Sequence, residues 1–88
     1  MLLIATSRAL VTTLEGLEFQ MTTGEYYVWV FVSMDTLQNM ADPPLAAGPL
    51  EMFQSHRQRF HEIANLKADG GEFEPDGSIQ ITTNDLYR

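Results

Sequence analysis

The chain has 88 residues, no cysteine and a formal charge of −7 at pH 7. Disulfides, thiolate zinc sites and cysteine nucleophiles are therefore excluded, and the length supports one domain with one small core. Twelve acidic residues face only Arg8, Arg57, Arg59, Lys67 and Arg88, too few cations in too negative a field to hold a phosphate backbone, so no nucleic-acid partner is expected.

Met1 to Ala5 is apolar but lacks the basic flank and the longer apolar region of a signal peptide. No apolar run approaches the ~20 residues of a membrane span. The expected location is the cytoplasm, with no membrane partner. Charged residues are 19% of the chain, below the ~25% of ordinary soluble domains, and a weakly charged surface is compatible with self-association. The acids are spread from Glu15 to Asp85 without a block, which reads as a solubilising surface rather than an acidic tail.

In chain order, Leu2 to Thr6 has the composition of a short strand. Ser7 to Gly16 is open between a helical turn and a continued strand. Leu17-Glu18-Phe19-Gln20-Met21 alternates apolar and polar residues, the pattern of a half-buried strand. Thr22-Thr23-Gly24-Glu25 is a turn, with Gly24 free to take a positive φ. From Tyr26 to Val32 every residue is aromatic or β-branched, the strongest strand signal in the chain. Strand alternation places Tyr26, Val28, Val30 and Val32 on one face and Tyr27, Trp29 and Phe31 on the other. Both faces are apolar, so the strand is expected to be central, or to meet a helix on one face and a partner on the other.

Ser33 is placed to cap a short helix, and Asp35 suits its positive end. Asp42-Pro43-Pro44 stops that helix, and Leu45 to Gly48 is a small-residue loop. Pro49 then occupies a first helical position. From there to about Ala68 one stripe carries Phe53, His56, Phe60, Ile63, Ala64 and Lys67. Gly70 and Gly71 end the helix, Glu72 to Pro75 is extended, and Asp76-Gly77 turns into a last strand, Ser78 to Thr82. The expected fold is α+β: a small, mostly antiparallel sheet of three to four strands, order ββ(β)-α-α-β, with one short and one long helix on one face.

Several residues along this frame form a recognisable set: Phe53, His56, Arg57, Arg59, Ile63 and Ala64 on the helix, then Gly71-Glu72, Glu74, Asp76-Gly77-Ser78, Ile81-Thr82-Thr83 and Asp85-Leu86, with Val32 to Leu37 upstream. From about Leu17 to Leu86 the chain resembles a small bacterial family catalogued as domain of unknown function 1488. The resemblance implies an α+β fold and an unassigned biochemical role, and it carries over no catalytic residues.

Chemical signals are sparse. His56 and His61 lie five apart, about 140° around a helix, whereas a shared metal prefers ligands three or four apart. On the apolar stripe, His56 reads as a hydrogen-bonded, partly buried histidine, and His61, at the stripe's edge, as exposed. Glu72, Glu74 and Asp76 alternate in an extended segment and can converge as a weak cation site or serve as a solvated edge. Tyr27, Trp29 and Phe31 suit a base-stacking platform only with basic surroundings, and otherwise suit a core or an oligomer interface. Arg57 and Arg59 can hold an anion, though Arg59 and Glu62 are spaced for a surface ion pair. The serines sit in no nucleophile elbow, and Gly70-Gly71 lies at the helix end that repels anions.

The functional expectation is a cytoplasmic, non-enzymatic module that binds an unidentified protein or itself as a homodimer. It carries no catalytic, metal or cofactor residues, and Tyr27, Trp29 and Phe31 form its interaction surface. One alternative is a small ligand-binding or enzymatic domain using His56, with Arg57, Arg59 and nearby carboxylates. Another is an acidic mimic that covers a basic protein surface.

Overall fold

The structure, a computed structural model, describes residues 2–40 and 48–87. Its elements are β1 (Ile4–Ala5), β2 (Val11–Thr12), β3 (Gly16–Thr22), β4 (Tyr27–Ser33), α1 (Met34–Met40), α2 (Pro49–Ser55), α3 (Arg57–Asp69), β5 (Ile79–Ile81) and a closing 3₁₀ helix, Thr83–Tyr87. The fold is α+β. The Asp42-Pro43-Pro44 stop and the loop from Leu45 lie outside the described residues. No described helix is long and apolar enough to cross a membrane.

β3 and β4 form the central hairpin, paired from Gly16 opposite Ser33 to Thr22 opposite Tyr27. Gly16 is required by close approach: a Cβ there would run into the Val32 carbonyl oxygen. β5 returns parallel to β4, while β1 and β2 pair antiparallel with the other side of β3. Ile4 faces Thr22 and Val11 faces Glu18, so seven residues advance along this edge against four on β3. The excess bulges out at residues 7–10, which form neither a helical turn nor a continued strand. Such an irregular edge resists strand addition. Asn65 on α3 holds β1 down, accepting from Leu3 N at 2.6 Å and donating to Leu3 O at 3.0 Å.

One face of the sheet carries the core. Leu17, Phe19 and Met21 of β3, Val28, Val30 and Val32 of β4, and Ile79 and Ile81 of β5 are buried against Leu37 of α1, Met52 and Phe53 of α2, and Phe60, Ile63, Ala64 and Ala68 of α3. Tyr26 stands outside this set, exposed at the hairpin turn. Ser33 caps α1 as its position predicts, its Oγ accepting from Thr36 N at 3.2 Å.

The long helix expected from Pro49 to Ala68 is two helices, broken at His56 (φ −125°, ψ 22°). A straight helix over residues 49–69 would be roughly 31 Å long, against about 23 Å for the seven-residue β4. The break keeps both Phe53 and Phe60 on the sheet, their rings stacked 5.4 Å apart. Local hydrogen bonds favour it: Ser55 Oγ donates to Glu51 O, and His56 N bonds Phe53 O instead of continuing the α ladder. At its other end α3 closes in a Schellman motif, with Glu72 N on Lys67 O, Gly71 N on Ala68 O, and Gly71 at φ +71°.

A polar lock ties α3 to the chain's end. Lys67 Nζ donates to Asp85 Oδ2 at 2.8 Å and to Gln80 O at 2.6 Å. Asp85 Oδ2 also accepts from Thr82 N at 2.8 Å and Thr82 Oγ1 at 3.1 Å, the back-reaching half of a capping box at the start of the 3₁₀ helix. Both charged side chains are largely buried. Burial pushes the Asp85 carboxyl up, but the hydrogen bonds from Lys67 and Thr82 outweigh it and hold the group below its ordinary range.

Candidate functional site

The helices cover one sheet face, and the other face carries the outward residues of β4. Because strand side chains alternate, burying Val28, Val30 and Val32 turns Tyr27, Trp29 and Phe31 outward. Tyr27 is 70% exposed, and Trp29 and Phe31 are half-buried. Their sheet neighbours are polar: Thr22 opposite Tyr27, Gln20 opposite Trp29, and Glu18 and Gln80 on either side of Phe31.

Two turns extend this face into a groove of about 410 Å³. At one end Glu15 sits in the tight turn between β2 and β3, which Thr13 N closes on Gly16 O at 2.8 Å. At the other, Gly77 N bonds Glu74 O and Glu74 N bonds Ser78 O, both at 2.8 Å. Asp76 Oδ1 fixes that turn by accepting from Ser78 Oγ at 2.7 Å and Ser78 N at 2.9 Å. These bonds, the hydroxyl's first, lower the Asp76 pKa. The groove thus has an aromatic floor and a rim bearing the Glu15, Glu18 and Asp76 carboxylates, and among the described residues no Lys, Arg or His lines it. From the strand edge, the bulge at residues 7–10 brings the Arg8 guanidinium 5.5 Å from the Trp29 ring centre, within cation–π range.

The other candidate residues gather at the α2–α3 break. His56 is half-exposed there and stands off the buried stripe. His61 is the histidine that packs, 5.4 Å from Phe19 and 6.4 Å from Phe53 by ring centres. Burial, then the Arg57 charge, lowers its pKa. Arg59 pairs with Glu62 at 3.7 Å and donates to Leu86 O at 3.5 Å. The open depression holding His56, Arg57, Arg59 and His61 has an otherwise polar lining of Gln54, Ser55 and Gln58, and no carboxylate lines it among the described residues.

No group of three His, Asp or Glu that could hold a metal occurs among the described residues, the Glu72, Glu74, Asp76 segment included. Ser33, Ser55 and Ser78 hydroxyls are engaged in a cap, a helix bond and a turn. Alternation along β4 was sufficient to group the three rings. It could not bring Glu15, Glu18 and Asp76 to them, because strand pairing assembles that rim from distant parts of the chain. Comparison with family models, with curated proteins and with solved structures gives no match.

Proposed function

We propose that this chain is a non-enzymatic cytoplasmic binding module that engages a protein through the sheet face of Tyr27, Trp29 and Phe31. One observation carries the reading: the described core lies on the other face, yet the outward positions of the central strand are spent on three large rings. Aromatic side chains are the commonest anchors of protein interfaces, giving large contact area at low entropic cost. A polar alternation would have sufficed for solubility. Membership of the uncharacterised bacterial family is part of this proposal and rests on the residues that carry the resemblance. With no cysteine, the chain does not need an oxidising compartment.

The test is parallel affinity capture from source-cell lysate with the native chain, Trp29→Ala and Phe31→Ser, followed by reconstitution with the purified captured protein. A partner held stoichiometrically by the native chain and lost by both folded variants is the expected outcome. Capture and assembly state indifferent to both substitutions would contradict the reading.

A further inference from the structure

The groove also constrains what its partner must carry; this inference rests on the binding reading above. We propose that the groove takes the cationic side chains, arginine foremost, of a basic segment in a partner protein. The rim presents the Glu15, Glu18 and Asp76 carboxylates around the Trp29 and Phe31 rings, with no cation among the described lining residues. Neither Glu15 nor Glu18 has an ion-pair partner among the described residues. Carboxylates beside aromatic faces are the surroundings a guanidinium prefers, since it can stack on a ring while its N–H groups reach the acids. The chain already shows half of this arrangement: its own Arg8 guanidinium lies over Trp29. A groove of about 410 Å³ falls within the ~300–1,000 Å³ of ordinary binding pockets.

The same charges disfavour other occupants. Two copies meeting face to face would set each rim against its own like charges, within chains that each carry −7. Nucleic-acid phosphates meet the same repulsion. A basic segment is attracted both locally and by the field of the whole molecule.

The test uses the full chain and two short fluorescent peptides: one alternating arginine and glycine, the other with citrulline, the neutral isostere, in place of arginine. Binding is read by anisotropy at low and physiological salt. The arginine peptide should bind at least about tenfold more tightly than the citrulline peptide, and added salt should weaken it. Glu18→Gln, isosteric and on a half-exposed position, should weaken it about three- to fivefold, and Glu15→Gln should act in the same direction. Glu51→Gln removes the same charge from an exposed position on α2 and should change affinity less than about 1.5-fold. Equal binding of the two peptides would overturn the inference. So would equal losses at Glu18 and Glu51, because the attraction would then be diffuse. If a captured partner depends on Trp29 while the arginine peptide is ignored, the binding reading stands and the cationic assignment falls. If neither the partner nor the peptide depends on this face, both fall.

Discussion

Replacing Asp85 with alanine should be among the most damaging single changes at a polar position. The side chain accepts a 2.8 Å bond from Lys67 Nζ and two further bonds from Thr82, and its own and the Lys67 side chain are only 7% and 12% exposed. A charge-assisted hydrogen bond of this kind contributes about 1.5–3 kcal/mol, and loss of a cap costs about 1 kcal/mol. The Gln80 carbonyl still receives Lys67, which limits the cost of the orphaned ammonium, so a loss of about 3 kcal/mol is expected. For a domain of this size that lowers Tm by more than about 10 °C. Lys67→Met should cost about 2 kcal/mol. The double variant should lose less than the two together, by about 2 kcal/mol, because removing both partners leaves no unpaired charge. Urea unfolding of the four proteins at pH 7 measures each value. Single effects that add within about 0.5 kcal/mol would show that Asp85 and Lys67 are not coupled.

The same lock has a pH signature. The Asp85 pKa is lowered on folding, so its stabilisation is present above the ordinary carboxylate pKa and is lost as pH falls through the lower folded value. The acid limb of a stability–pH curve should be shallower in Asp85→Ala than in the native chain. His61 gives a second signature at higher pH. Its pKa also falls on folding, from an ordinary 6.5, so stability is full above that value and declines as pH drops through the folded pKa. His61→Phe should flatten the native curve as pH falls below 6.5; an unchanged slope would contradict this. Gly16→Ala drives a methyl group against the Val32 carbonyl in the central hairpin and should cost about 2–3 kcal/mol by urea unfolding. Ser33→Ala removes the α1 cap and should cost about 1 kcal/mol in the same assay.

What could be read from the sequence was local. The β-branched and aromatic run of β4, the Ser33 cap and the Gly70-Gly71 helix end each depend on residues within one turn or strand, and each occurs where its residues place it. The features that escaped depend on the assembled fold. The apolar stripe continues through His56, so periodicity could not show a break that follows from fitting two helices onto a short sheet. His61 rather than His56 meets aromatic rings because Phe19 arrives from β3. The Thr82-x-x-Asp85 spacing is a capping-box signal that was present in the sequence. Its bond to Lys67, eighteen residues earlier, needed the chain to return beside α3. At the candidate site the outward trio was legible from alternation, whereas which face the helices would cover, and which acids would surround the rings, was decided by pairing across β3, β4 and β5.

Trp29 is the chain's one tryptophan, so its intrinsic emission reports directly on the face at issue. The decisive measurement is that emission during titration with the unlabelled arginine–glycine peptide, with the citrulline peptide as control. A saturable change with arginine is expected at the affinity seen by anisotropy, and none with citrulline. Emission that stays flat while the arginine peptide binds would place the contact away from Trp29 and contradict cation binding in the groove.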